Sequence, residues 1–245
     1  MFAPLSGCGE NAPALVTIPF AGGSASAYRP LLPALTSRHH VVGLQLPGRG
    51  HLLRKPAFRS MAVLVEQAAS AIGRQLTGPY VLYGHSMGGR IAYDMACALA
   101  QGGGSLPAAV IVSGCGVPDE ALLVPHPAVS SHRLRAWFAA LGFPSFSAEL
   151  FRILEPAVRA DLEMIATRAP TAPAALPVPL HVLSGTADPV VDFERQHRWR
   201  HFTSKSCEFH SFTGNHFFPY DHRIEFEALV ERVLATETAA LQPVR

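Results

Sequence analysis

The chain has 245 residues, of which 49% are hydrophobic and 16% charged, and its formal net charge is +2. That length suits one domain, or one domain with an insertion, and so low a charged fraction excludes a disordered or highly solvated chain. Arg and Lys are scattered without a long run, so there is no nucleic-acid footprint.

The N-terminus, "MFAPLSGCGENAPALV", lacks a charged segment followed by a long apolar stretch, and it does not read as a signal peptide. No apolar run approaches the ~18–20 residues of a membrane span. The cysteines, Cys8, Cys97, Cys115 and Cys207, form no CxxC pair and read as free thiols. The expected protein is soluble, cytoplasmic and monomeric, with no membrane or nucleic-acid partner.

Along the chain, near-continuous apolar runs at 14–20, 40–46, 80–84, 108–114, 179–185 and 207–212 read as strands buried on both faces. Helical patterns at 25–37, 60–76, 87–101, 192–202 and 222–237 alternate with them. Such alternation predicts an α/β fold, a mostly parallel sheet flanked by helices. Residues 116–170 break the rhythm: no strong strand occurs, but "SHRLRAWFAALG" and "EPAVRADLEMIATRA" read as helices. Proline-rich stretches, "GVPDEALLVPHP" and "APTAPAALPVP", bracket this interval. A structureless loop of that length is uncommon in a compact domain, so a helical insertion above the sheet is expected. Its helical fragments carry the apolar residues Leu134, Trp137, Phe138, Leu141, Phe143, Phe146, Leu150, Phe151 and Ile153, among others.

Between the third strand and its helix lies Gly84-His85-Ser86-Met87-Gly88. A nucleophilic serine needs exposure at the end of a rigid element, a base within reach and N–H donors for the developing oxyanion. A sharp strand-to-helix turn provides the exposure, and its tightness favours glycine two residues before and after the serine. The helix starting at Met87 adds a free N–H and a positive dipole end. Asp188 follows a strand in a turn marked by Gly185 and Pro189, where it can orient an imidazole. Asp192 is its rival but reads as a helix N-cap. His216 lies in a loop after the last strand; His222 opens the C-terminal helix and His210 sits within a strand. The loop "IPFAGGSASAY" offers a second oxyanion donor, the Ala21 N–H or its neighbour at Phe20. His197 and His201 have metal-binding spacing but no third ligand, and read as a solvated helix face. "GRGHLLRKPAFR", with Arg49, Arg54, Lys55 and Arg59, reads as a charged loop or as a docking patch for an acidic partner.

The motifs "PFAGGSASAYRPL", "LQLPGRGHLLRKP", "LYGHSMGGRIAYDMA", "LSGTADPVV" and "GNHFF" run in order over nearly the whole chain. Together they resemble the type II, or editing, thioesterases of polyketide synthases and nonribosomal peptide synthetases, which have the α/β-hydrolase fold. The resemblance implies a single domain, 1–245, in which 116–170 is a helical lid. It implies Ser86 as nucleophile, His216 as base, Asp188 as orienting acid, and Ala21 and Met87 as oxyanion donors. It implies thioester substrates on the phosphopantetheine arm of an acyl or peptidyl carrier protein, with no metal or redox cofactor. Lys55 stands where an acidic residue is common in that family, and Asn215 where glycine is common. A general carboxylesterase or lipase, a product-releasing thioesterase and a non-catalytic module of the same fold are the alternative readings.

Overall fold

Short segments rich in Val, Ile and Leu become the strands, and their burial explains their composition. In the computed structural model, which describes residues 1–6, 12–121, 124–143, 147–169 and 175–241, seven strands form one sheet. They are β1 (Phe2–Pro4), β2 (Ala14–Ile18), β3 (His40–Leu44), β4 (Tyr80–His85), β5 (Ala109–Ser113), β6 (Leu180–Gly185) and β7 (Cys207–Phe212), in spatial order β1-β3-β2-β4-β5-β6-β7. β1 runs antiparallel to β3, and every other pair is parallel. All residues of β2 to β6 are buried, so both sheet faces demand apolar side chains. In β4, Leu82 joins one core and Val81 and Tyr83 the other, as the two-residue pleat requires.

The helices are α1 (Pro33–Arg38), α2 (Met61–Gln75), α3 (Met87–Gly102), α4 (Ser131–Ala140), α5 (Ala148–Ala166), α6 (Phe218–Asp221) and α7 (Arg223–Ala239). α2 and α3 share one apolar core with the sheet, while α1 and α7 share the core on its other face. Two helical expectations change form. The 25–37 pattern divides into a 3-10 turn, Ala25–Tyr28, and α1, because Pro30 and Pro33 interrupt it. Pro33 itself sits in the first helical turn, where its missing N–H costs nothing. The 192–202 pattern forms 3-10 turns over Phe193–Phe202. β1 was not anticipated; its three residues are too few to carry a period.

α4 and α5 lie between β5 and β6, in the interval predicted to be a helical insertion. Ser130 and Ser147 cap them by accepting from the Arg133 and Leu150 N–H groups. The chain's departure from β5 is held by Arg90 of α3, which is buried and donates to the carbonyls of Gly116, Val117 and Pro118. The Trp199 indole N–H donates to Cys115 O from the other side. At the far end, Arg168 grips both oxygens of Asp94 at 2.7 and 2.8 Å. Leu134, Phe138, Leu141 and Phe151 are buried, each worth roughly 1.5–3 kcal/mol relative to exposure. Trp137 and Phe143 pack half-buried against the core, whereas Leu150 and Ile153 face solvent. Phe146, Cys8 and residues 170–174 of the second proline-rich stretch lie outside the described residues.

Candidate active site

Parallel strands align their C-terminal ends, and that edge gathers the candidate residues. The register pairs Ile18 with Gly84, His85 with Ser113 and Gly185 with Phe212. Ser86, Asp188 and His216 follow β4, β6 and β7 respectively, so they emerge on the same edge.

Ser86 has φ 56° and ψ −121°, and it is the one non-glycine with positive φ among the described residues. Such backbone strain costs of order 1–3 kcal/mol and persists only where the surroundings enforce it. Here they do. The Ser86 N–H donates to Ser113 O at 2.8 Å, and the chain must then turn directly into α3. The turn is so tight that a Cβ on Gly84 would lie 2.0 Å from Gly88 O. A Cβ on Gly88 would lie 2.1 Å from Ile18 O, in β2. The two glycines are therefore steric requirements of the elbow.

Asp188 and His216 are joined by a 2.7 Å hydrogen bond, and both side chains are buried to within 2%. The other carboxylate oxygen of Asp188 accepts the N–H groups of Val190 and Val191, at 2.8 and 3.2 Å. The carboxylate is thus fixed before it meets the ring. With His216 Nδ1 donating to Asp188, Nε2 is left with a lone pair for a proton. The loops carrying the two residues are in direct contact. The Ala187 N–H donates to Gly214 O at 2.8 Å, and a Cβ on Gly185 would lie 2.4 Å from Asn215 O. Asn215 also fits the helical insertion: Gly142, at φ +78°, lies against its side-chain amide with no space for a Cβ. Among the described residues, no hydrogen bond joins Ser86 Oγ to the His216 ring.

The rival residues have other employment. Asp192 caps the 3-10 segment by accepting from the Glu194 N–H. His222 bonds to Thr213 at the start of α7, and His210 lies in β7. His197 Nδ1 bonds to the Glu194 carbonyl.

The loop after β2 presents its amides to the same edge. Gly23 N–H donates to Phe20 O and Gly22 N–H to the carboxylate of Asp161, at 2.9 and 2.8 Å. The Ala21 N–H takes up no such bond among the described residues, and neither does the Met87 N–H, which heads α3. Asp161 belongs to α5 and also holds Arg49 in a buried bidentate pair at 2.6 and 2.7 Å. Arg49 in turn donates to Gly23 O at 3.2 Å. One carboxylate thus ties the helical insertion, the loop after β3 and the amides beside Ala21. Sequence spacing could not reveal this, since Arg49 and Asp161 are 112 residues apart. It also removes Arg49 from any docking patch, leaving Arg54 and Lys55 exposed in that loop.

Aromatic rings close the site. Phe20 packs edge-on against His85, Phe143 and Phe217, with centroids 5.2–6.2 Å apart. His85 lies 4.9 Å from the His216 ring, and its Nδ1 meets Ser113 Oγ at 3.0 Å. Burial, then the proximity of His216, pushes the His85 pKa well below the usual imidazole value, so it stays neutral beside His216. Burial raises the Cys97, Cys115 and Cys207 thiols, which are free and poorly disposed to ionise.

No helix among the described residues is long and apolar enough to cross a membrane. The family model described as "Thioesterase domain" matches residues 13–236. The thioesterase PikA5 of Streptomyces venezuelae is 30% identical over 220 residues, covering 86% of this chain and 77% of its own. Among solved structures, the type II thioesterase BorB from the borrelidin biosynthetic cluster superposes with a TM-score of 0.87 at 28% identity, over 95% of this chain and 97% of its own. RedJ, a thioesterase of the prodiginine pathway in Streptomyces coelicolor, gives 0.82 at 34% identity, over 91% and 86%. The strained serine elbow on a parallel sheet and these matches over nearly the whole length lead to one assignment: the chain belongs to the thioesterase domain family, with the α/β-hydrolase fold.

Proposed function

We propose that the protein is an editing thioesterase, which hydrolyses aberrant or stalled acyl groups from the phosphopantetheine arm of acyl or peptidyl carrier proteins in a polyketide or nonribosomal peptide synthase. The observation that carries this reading is the buried His216–Asp188 pair beside the strained Ser86 elbow. The similar proteins named above, thioesterases from the borrelidin biosynthetic cluster and the prodiginine pathway, support the substrate class.

In this mechanism Ser86 Oγ attacks the thioester carbonyl carbon as His216 Nε2 takes its proton. The carbonyl oxygen becomes an oxyanion between the Ala21 and Met87 N–H groups. The C–S bond then breaks, and the Nε2 proton passes to the departing pantetheine sulfur. Water, deprotonated by His216 Nε2, then attacks the acyl-Ser86 ester carbon; the C–Oγ bond breaks, the Nε2 proton returns to Ser86 Oγ, and the free acid leaves. Asp188 keeps the ring in the tautomer that accepts at Nε2 and stabilises the imidazolium. Donors preorganised at an oxyanion are worth roughly 10²–10³ in rate each.

Residues 116–170 act as the lid of this site. Supporting this, Phe143 packs on both Phe20 and Phe217, beside the oxyanion loop and His216. Trimming it, as Phe143→Ala, shifts acyl-length preference while short thioesters are still hydrolysed. The same preference in the variant removes the lid reading.

The experiment is turnover on a panel of acyl-loaded carrier proteins, matched acyl-pantetheine mimics and simple esters, with Ser86→Ala as control. The expected result is thioester hydrolysis favouring carrier-bound substrate, and a loss of order 10³-fold or more in the control. Preference for simple esters selects the carboxylesterase reading. Near-full turnover by Ser86→Ala overturns the site.

A further inference from the structure

The described structure brings together a second chemistry-bearing cluster, at the opposite end of β6 and β7 from the candidate active site. His181 of β6 pairs in register with Glu208 of β7, and His210 follows two residues later on the same strand. Residues paired across strands, and residues two apart along one, project to the same face. The register therefore stacks the three side chains. His181 Nδ1 lies 3.4 Å from His210 Nε2 and 3.7 Å from Glu208 Oε2, and the latter two are 3.9 Å apart. His181 is buried, His210 half-buried and Glu208 exposed.

We infer that His181 Nδ1, His210 Nε2 and Glu208 Oε2 bind one divalent transition-metal ion, with zinc the best match to two imidazoles and a carboxylate. Zinc bonds to nitrogen and carboxylate oxygen are about 2.0–2.2 Å long, which places tetrahedral ligands about 3.4 Å apart. The observed triangle needs a contraction of only a few tenths of an ångström. Imidazole ligands disfavour magnesium and calcium, which take oxygen.

A second feature points the same way. His181 Nε2 meets Glu237 Oε1 of α7 at 3.2 Å. If Nε2 donates to that carboxylate, Nδ1 presents its lone pair to the ion. This is the carboxylate–histidine–metal arrangement in which the outer carboxylate sets the tautomer and raises ligand basicity. Glu208 and Glu237 also offset the ion's charge, against the nearby cation Arg232. The fourth coordination position is left for water or another small donor.

The site is remote from the chemistry. His181 precedes Gly185 by four strand residues, about 13 Å at the usual rise. The ion's effect is to fasten the edge strand β7 to β6 and, through Glu237, to α7. It stabilises the chain without entering the hydrolytic steps.

The test is calorimetric titration of the chelator-treated full chain with Zn²⁺, together with thermal melts and Co²⁺ absorption. The expected result is one ion per chain, a higher melting temperature and a four-coordinate Co²⁺ spectrum without a thiolate band. His210→Ala abolishes this uptake, and Glu208→Gln, at an exposed position, weakens it without threatening the fold. Glu237→Gln weakens it by about 10–100-fold. The His197→Ala/His201→Ala variant binds as wild type. Absence of uptake overturns the inference, as does uptake unchanged by His210→Ala and Glu208→Gln. Loss in the His197/His201 variant overturns it too, and a thiolate band, implicating Cys207, overturns the ligand set.

Discussion

Replacing Asp161 by Asn separates the roles of the buried clamp. The carboxylate accepts three hydrogen bonds, two from the Arg49 guanidinium and one from the Gly22 N–H. An amide keeps the shape, but whichever way it turns, its NH₂ faces a donor: Arg49 on one side, or Arg49 and Gly22 on the other. The Arg49 charge, 1% exposed, also loses its counter-ion. Breaking a buried pair from one side costs about 3–5 kcal/mol. In a protein of this size that lowers Tm by roughly 6–20 °C, since each kcal/mol is worth about 2–4 °C. Total stability of about 5–15 kcal/mol leaves most such variants folded at 25 °C. The catalytic effect is separate. With Gly22 no longer fixed, the Ala21 N–H beside it, the proposed oxyanion donor, loses its aim, so kcat falls by up to the roughly 10²–10³ of one such donor. KM on a small acyl-pantetheine mimic is little changed.

The double variant Arg49→Met/Asp161→Leu discriminates between the two roles. It removes both charges, so it recovers part of the lost stability. The Gly22 N–H still lacks its acceptor, which costs about 1–3 kcal/mol, and kcat stays low. The assay is thiol release from the mimic, alongside melts of each variant. A double variant that regains wild-type kcat, or Asp161→Asn with unchanged kcat, refutes the coupling of α5 to the oxyanion loop.

Asp188→Asn loses far more kcat than Asp192→Asn, because only Asp188 bonds the His216 ring; steady-state kinetics giving the reverse ranking would move the orienting role to Asp192. Reversing Arg54 and Lys55 to Glu lowers kcat/KM on acyl-carrier protein, increasingly so at low salt, and spares acyl-pantetheine mimics. Equal losses on both substrates would exclude electrostatic docking through that loop. His85 gives an acid-side stability dependence. Its folded pKa is depressed by burial, so its contribution is present above the ordinary value of 6.5 and is lost as pH falls through the folded value. Each pH unit in that window removes up to about 1.4 kcal/mol, and a His85→Gln variant shows a flatter fall of Tm as pH drops below about 6.5. An unchanged slope would mean that His85 is not the group responsible.

The sequence by itself determined the strand–helix alternation, the parallel sheet and the serine elbow, because each leaves a local mark. Strands buried on both faces must be apolar throughout, and a turn in which Gly84 touches Gly88 admits no side chain at either position. It also placed Asp188 and His216 at strand ends, where parallel topology brings them together, and it read Asp192 as a cap. It could not resolve the helical pattern at 192–202 into 3-10 turns, since the two helix types share much of their periodicity. Only the tertiary structure decided what Arg49 does. A loop arginine followed directly by the exposed Gly50 and His51 looks solvated, yet α5 folds over it and supplies Asp161. Only the β6–β7 register stacks His181 on Glu208 and His210, and only the docking of α7 brings Glu237 behind them. Contacts of this kind join residues tens to more than a hundred positions apart, and no periodicity or local spacing encodes a partner that distant.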